Sequence, residues 1–431
     1  MIYKRHKEPE DKIWDQFKRC GEWFERETYY EYKWQELKFR YKKINLYELE
    51  FQAIGETMPR VVNAIQDMRR NPNAEELNVF LLTANSDYTG GVFNVKLLEI
   101  FRRYLYIIDD TNYGFWSYVF KNYRADINTN NFKKYYLKRA GYIPIETGVP
   151  FFEFTEDEVQ EGTVKSELCG INREYVCVHA RGRGNKRDNY KTDYRDKETS
   201  IYTCNINEMK RACEYLSEQG MQLVKVGKFD GMQSNISELI DYSHEFSAER
   251  YDDLMDFYFI SKCKFVFGSA SGLTYMAGFF GSPVLVVNTF ILVYGAESMP
   301  YTGHDMLVLQ KFWSQQERRY LNLYEMMNVA NRCDIYKSNY DRNGIKLIKN
   351  TEKEIYEAVA EMNQKLDGKW IESEEEKEAV KKYFEIINTW EKRHTNVIMR
   401  KKLGCNEYQM LKWRICWSYL KNNLYLLDVN L

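Results

Sequence analysis

Hydrophobic positions along the chain fall into two blocks, in each of which short apolar runs alternate with stretches of helical period. In the first block Asn45 to Phe51 predicts a strand, Gly55 breaks it, and Met58, Val61, Val62, Ile65 and Met68 recur on one helix face. Pro59 falls in the first turn of that helix, where a missing N–H costs nothing. Asn78 to Thr83 predicts a second strand, followed by a polar loop from Asn85 to Gly91. Val95, Leu98, Phe101, Arg102 and Leu105 then mark a helix, and Tyr106 to Ile108 a third strand. The pattern restarts near residue 172 with a strand at Tyr175 to His179 and a helix face of Met209, Ala212, Cys213 and Leu216, stopped by Gly220. Leu223 to Val226, Phe265 to Gly268 and Pro283 to Asn288 predict further strands. Helices are predicted from about Ala248 to Lys262 and from about Leu273 to Phe280, the second ended by Gly281.

Strand–helix alternation with short loops implies parallel sheets. A chain of 431 residues exceeds the usual ceiling for a single core. The expected fold is α/β: two Rossmann-like, doubly wound domains facing a cleft, with helical extensions at both ends. The expected boundaries are a lead-in over 1–45, an N-terminal domain over 46–165, a C-terminal domain over 166–350 and a helical tail over 351–431. The acidic stretch around Glu153 to Gly162 is the expected link. Thr351 with Glu354 forms a capping box at the start of the tail, and Ile355, Val359 and Met362 give its first buried face.

Composition narrows the class. Hydrophobic residues at 44% and charged residues at 29% describe a globular chain and exclude a disordered one. A net charge of −1 excludes a nucleic-acid-coating role, which needs a basic excess. The 35 tyrosines suit sugar-binding clefts as well as cores. The charged opening from Met1 to Lys7 carries no secretory pattern, and the apolar run Pro283 to Tyr294 is too short to span a bilayer. Nine scattered cysteines without a C-x-x-C pair fit reduced thiols better than disulfides or zinc, so a cytoplasmic enzyme is expected.

Two segments can bind an anion. Val178 to Arg187 begins at the C-terminal end of a predicted strand, where open α/β sheets hold ligands. Within it Arg181 and Arg183 offer paired N–H donors to a pyrophosphate; the plain alternative is a solvated basic loop. Phe267 to Leu273 runs from a strand through Ser269, Ser271 and Gly272 into a helix, which leaves N–H groups and hydroxyls for a phosphate. Its alternative is a simple N-cap by either serine. Asp252, Asp253 and Asp256 precede this second segment, where a carboxylate accepts from ribose or sugar hydroxyls or else lies on a solvated helix face. His179 fits a core strand end as readily as a site. Glu56 is the first candidate for a general base and Asp87 its rival; each also suits a helix start favoured by the dipole.

In order along the chain, Phe154 to Gly162, Tyr175 to Arg181, Asp193 to Asp196, Leu239 to Tyr242, Asp253 to Tyr258, Lys262-Cys263, Ser271-Gly272 and Pro283 to Asn288 resemble the bacterial glycosyltransferases of surface-polysaccharide gene clusters. More distantly, His179-x-Arg181 is similar to the phosphate-binding motif of fucosyltransferases that use GDP-fucose. The likeness covers about residues 150–295. It implies a glycosyltransferase fold of the B type, with sugar-donor contacts at Arg181, Arg195, Asp196, Asp253, Asp256, Ser271 and Gly272. One departure stands out: where those relatives place an acidic residue after the motif's arginine, this chain has Gly182.

The resemblance implies transfer of a sugar from a nucleotide diphosphate to a glycan or lipid-linked acceptor, by inversion and without a cofactor or metal, because helix N-termini and cationic side chains can stabilise the leaving phosphate. The alternatives are a protein O-glycosyltransferase, a nucleotide-sugar epimerase and a binding protein that keeps the fold without the chemistry. The tail mixes Arg393, Arg400, Lys401, Lys402, Lys412 and Arg414 with Trp413, Trp417 and Tyr419. Residues 393–419 offer a surface for an anionic membrane, but the expected arrangement is that the aromatics pack on the N-terminal domain and the cations are solvated.

Overall fold

A computed structural model describes residues 23–50, 54–83, 94–110, 113–127, 149–181, 201, 203–227, 234–242, 252–290, 301–333, 337–394 and 413–429. The chain divides into two compact units, Met1–Ala140 and Gly141–Leu431.

The first unit carries three strands, β1 (Lys43–Glu50), β2 (Glu76–Thr83) and β3 (Tyr106–Asp109), parallel and in that spatial order. Its helices are α1 (Trp23–Arg40), α2 (Ile54–Arg70), α3 (Val95–Phe101) and α4 (Gly114–Asn122). Alternate residues of the strands, Ile44, Leu46, Leu77, Val79 and Leu81, share one core with Trp34 and Leu37 of α1 and Phe115 and Val119 of α4. Tyr47 and Phe80, on the intervening positions, stack at 5.3 Å. Val79 to Leu82 of β2 are all buried and read as an apolar run, as a parallel strand between helices does, whereas β1 also buries the polar Asn45 and Glu48. Gly55, expected to break the chain, is the second residue of α2.

The second unit is built on a seven-stranded sheet in the order β13-β9-β8-β7-β4-β5-β6, every neighbouring pair parallel. The strands are β4 (Tyr175–His179), β5 (Gln222–Lys225), β6 (Leu239–Ile240), β7 (Val266–Ser269), β8 (Val284–Thr289), β9 (Met306–Leu309) and β13 (Arg414–Ile415). Between them run α5 (Glu156–Leu168), α6 (Lys210–Glu218), α7 (Asp253–Lys262) and α8 (Gly272–Phe279). A small antiparallel sheet of β10 (Lys311–Ser314), β11 (Arg319–Tyr320) and β12 (Ile345–Ile348) follows, with α9 (Leu323–Cys333) and α10 (Lys337–Arg342). Then come α11 (Glu352–Leu366), α12 (Glu374–His394) and α13 (Trp417–Leu420). Both units are thus α/β with parallel sheets, as the alternation of elements predicts.

Three expectations need correction. The acidic stretch read as a link is the start of α5, where Thr155 and Glu158 form a capping box and Glu156, Asp157 and Glu158 complement the positive end of the helix dipole. That helix packs on α7: Thr163 Oγ1 and Tyr258 OH are 2.9 Å apart, and a Cβ on Gly162 would fall 2.3 Å from the Tyr258 ring. The described residues 149–165 fall within the second unit. The chain after 350 is not helical throughout, because β13 adds to the edge of the main sheet.

The third concerns the aromatic, basic surface at 393–419, of which 395–412 lie outside the described residues. Trp413, Trp417 and Tyr419 are buried in the second unit and do not form an exposed face. Arg414 is paired with Glu372 and, at 2.5 Å, with Glu376, whose carboxylate also takes Lys365 Nζ and Trp370 Nε1 at 2.9 Å each. Glu361, fully buried, accepts from the N–H groups of Trp417 and Ser418 at the start of α13. Among the described residues no helix is long and apolar enough to cross a membrane.

Glu376 is 1% exposed, and its removal leaves Arg414 and Lys365 to share Glu372 and takes the acceptor from Trp370 Nε1. Glu376→Ala is expected to lower stability by about 1–3 kcal/mol. In hydrogen exchange it should release β13 before the rest of the sheet. Urea denaturation checks the first outcome, and exchange across residues 413–420 the second.

Candidate functional site at the carboxyl edge of the main sheet

Leaving out β13, the strands run β6-β5-β4-β7-β8-β9, so the chain lays down one half of the sheet outward from β4 and then returns to lay down the other outward from β7. Between β4 and β7 the direction of succession reverses. Open α/β sheets hold their ligands at this point, outside the carboxyl ends of the strands.

Both strand ends there are closely held. His179 is in register with Gly268. A Cβ on Gly268 would lie 2.1 Å from the His179 carbonyl oxygen and 2.9 Å from its carbon, so only glycine permits this approach. One step further, the Arg181 backbone N–H donates to Ser269 Oγ at 2.8 Å, and the Arg181 carbonyl accepts from Cys204 N–H at 2.9 Å. The backbone of Arg181 is therefore fixed on both sides while its side chain is exposed.

Ser271 is the N-cap of α8, with extended backbone (φ −154°, ψ 162°), and its Oγ accepts from Thr274 N–H at 3.1 Å. Thr274 Oγ1 donates to the Ser269 carbonyl at 2.9 Å, which leaves the 3.1 Å contact between the Ser271 and Thr274 hydroxyls to the Ser271 proton. Both serine hydroxyls are thus engaged in holding the turn, so the N-cap alternative is the arrangement found for Ser271. The N–H groups of Gly272 and Leu273 find no acceptor among the described residues, as the first N–H groups of a helix do. N–H groups so placed are able to hold an anion through backbone, and the Arg181 backbone is tied to the same turn.

His179 Nδ1 lies 2.9 Å from the Val226 carbonyl oxygen. A carbonyl only accepts, so Nδ1 carries a proton. The ring rests on Gly227, whose φ of +101° and lack of a Cβ are both required: a Cβ would stand 3.0 Å from ring atoms Cε1 and Nδ1. Asp256 is buried, and its Oδ1 accepts from Gly227 N–H at 2.7 Å and from the Tyr242 hydroxyl at 2.5 Å. Asp252 caps α7 through Leu254 N–H at 2.8 Å and pairs with Lys165, and Asp253 is the first residue of that helix. The second unit thus brings His179, Arg181, Ser269, Ser271, Gly272 and Asp256 into one chain of contacting segments.

Tyr275 and a buried amide pair escaped the sequence. Burial pushes the Tyr275 phenol well above its ordinary pKa, against the opposing pull of a hydrogen bond to Thr289 and the charge of Arg181. Asn288 adopts a left-handed backbone (φ 51°) and exchanges hydrogen bonds with Asn350, N–H to Oδ1, at 2.7 and 2.6 Å. Gln310 Nε2 donates to the carbonyls of Asn288 and Ile201 at 2.7 Å each. A signal existed: Asn288 interrupts an otherwise apolar run, and asparagine is the non-glycine residue that tolerates this conformation best.

Glu56 sits in the first turn of α2 in the first unit. Asp87, Arg183, Arg195 and Asp196 lie outside the described residues. Among the described residues no group of three or more His, Cys, Asp or Glu side chains is arranged to hold a metal.

No protein-family model matches the chain, and no curated protein matches it. Solved structures similar to it include E. coli ADP-heptose LPS heptosyltransferase II, with 11% identity over 62% of this chain and 90% of that one and a TM-score of 0.36. A glycosyl transferase of family 9 from Veillonella parvula is similar over 76% of this chain and 98% of its own, at 9% identity and a TM-score of 0.38. The UDP-GlcNAc 2-epimerase of Neisseria meningitidis is similar over 57% and 81%, at 13% identity and a TM-score of 0.26. At these values the likeness assigns neither activity nor substrate.

The contact at Gly268 is backbone against backbone, so no side chain can yield to relieve it. Gly268→Ala is expected to force β4 and β7 apart and to cost about 3 kcal/mol, the upper part of the range for overpacking. Urea denaturation checks this; a loss below about 0.5 kcal/mol, the scale of a neutral surface change, would contradict the geometry.

Proposed function

We propose that this chain is a glycosyltransferase that uses a nucleotide sugar, and that its sugar donor binds by its diphosphate at the carboxyl ends of β4 and β7. The observation that carries the proposal is the bond from Arg181 N–H to Ser269 Oγ at the reversal point of the sheet. It ties an arginine to a turn that opens a helix with two N–H groups that find no acceptor among the described residues.

Breaking an anomeric bond to a nucleoside diphosphate places new negative charge on the leaving phosphate. Fixed N–H dipoles and a guanidinium stabilise that charge without reorganising during the reaction. On this reading Gly272 and Leu273 contribute backbone N–H groups and Arg181 a paired, planar contact. His179, once protonated at Nε2, adds a further cation. Asp256 is read as a support of His179, and Asp253 stays a candidate for the ribose or sugar hydroxyls. Glu56 and Asp87 stay the candidates for the base that takes the acceptor's proton, the acceptor being a glycan or a lipid-linked saccharide. Arg183, Arg195 and Asp196 remain donor contacts by proposal alone.

Titration of the wild-type protein with ADP-, UDP-, GDP- and CMP-linked sugars should find one donor class. Arg181→Ala should weaken its binding by about 10–100-fold, the scale of a lost charge-assisted hydrogen bond. Arg181→Lys should recover little, because the paired geometry is gone. Arg181→Ala binding as tightly as wild type, or wild type binding none of the panel, would overturn the proposal. Conversion of the donor with no acceptor present would replace transfer by epimerisation.

A further inference from the structure

Asp256, Tyr242 and the peptide between Val226 and Gly227 form a connected path that ends on His179. The Gly227 N–H that Asp256 holds and the Val226 carbonyl that His179 meets belong to one peptide unit. That unit is planar and trans, so its N–H and C=O point in opposite directions, and fixing one end aims the other. The order is therefore carboxylate, peptide N–H, peptide C=O, imidazole Nδ1–H, with heavy-atom distances of 2.7 Å at the first link and 2.9 Å at the last.

We propose that Asp256 is a positioning residue that acts on His179 through this peptide, as a carboxylate–histidine pair with one amide between its members. The proposal rests on His179 belonging to the phosphate site described above.

Three features support the path. The Val226 N–H donates to the Val178 carbonyl at 3.0 Å, which extends the β4–β5 ladder and fixes the peptide unit just before this one. Gly227 supplies the left-handed backbone and the open face on which the ring lies. The Tyr242 hydroxyl, at 2.5 Å, fixes the carboxylate oxygen that takes the peptide N–H.

The electronic consequence follows from cooperativity. A carboxylate accepting from the N–H polarises the amide and makes its carbonyl a stronger acceptor, so the Nδ1–H bond strengthens. A histidine whose Nδ1–H is held in this way keeps one tautomer and becomes more basic at Nε2, the effect carboxylates exert on metal-bound histidines. Nε2 is then the atom that takes up a proton and presents it to a phosphate oxygen. No bond to the sugar donor is required of Asp256.

The chain has only five histidines, so selective 15N-histidine labelling gives few imidazole signals, and His179→Gln identifies the one that matters. In wild type without nucleotide, neutral His179 should be the Nδ1–H tautomer, with its Nδ1 proton at low field. Asp256→Asn keeps an acceptor for Gly227 N–H but not the charge; the tautomer should persist and the proton should move upfield. Asp256→Ala, if it folds, should shift the neutral ring toward the Nε2–H tautomer. In the transfer reaction Asp256→Asn should lower kcat about 10-fold or more while the KM for the nucleotide sugar changes little. An unshifted Nδ1 proton in folded Asp256→Asn would overturn the proposal, as would an Nε2–H ring in wild type. Because the resonance is read without substrate, a protein that binds no nucleotide sugar but shows the shift would refute the phosphate site and leave the positioning pair standing.

Discussion

The approach of β4 to β7 at Gly268 governs the second unit. Parallel strands bring their carboxyl ends to the same edge, and here a glycine lets one strand come so close that no side chain could intervene. Arg181 reaches Ser269, and His179 stands beside the first turn of α8, because of that contact. The residues just past it, Ser269 to Thr274, then have no choice but to spend their hydroxyls on the turn. Among the described residues, the backbone N–H groups of Gly272 and Leu273 keep no acceptor of their own. The site is therefore a product of topology and steric room more than of any single reactive group.

Several buried polar contacts keep this edge in place. On one flank the Asn288–Asn350 exchange and Gln310 hold the segment that includes Ile201 and Cys204 against the end of β8. On the other, Asp256 holds the peptide that follows β5. Asn288, Asn350, Gln310 and Asp256 each find partners at or just past the strand ends, which is the condition under which such groups stiffen a core and do not weaken it. At the far edge β13 closes the sheet through the cluster of Arg414, Lys365, Glu372 and Glu376.

Much of this was legible in the sequence, and for identifiable reasons. The strands at Asn78 to Thr83, Tyr175 to His179 and Pro283 to Asn288 are buried on both faces, so their apolar runs carry a strong signal. The Ser269 to Gly272 turn was legible because small residues directly before a helix have few other uses. Two-residue β13 was not, since Arg414-Ile415 between tryptophans has no period to read. The acidic start of α5 looked like a linker because charge alone does not separate a solvated stretch from a helix N-terminus. Asp256 looked like a ligand contact; its buried oxygen meets Gly227 and Tyr242, and only strand order could bring those together. Of the two proposed bases, Glu56 lies in a helix start and Asp87 outside the described residues, so the site's acceptor side was not legible at all.

The central claim is that a nucleoside diphosphate occupies the edge between β4 and β7 through the first N–H groups of α8. Hydrogen exchange resolved to single amides, with and without saturating ADP, UDP, GDP and CDP, tests it most directly. The account predicts that at least one of these slows exchange at Gly272 and Leu273, while amides of β13 and of the small antiparallel sheet are unchanged. A nucleotide that binds and protects amides elsewhere while leaving Gly272 and Leu273 unaltered would contradict it.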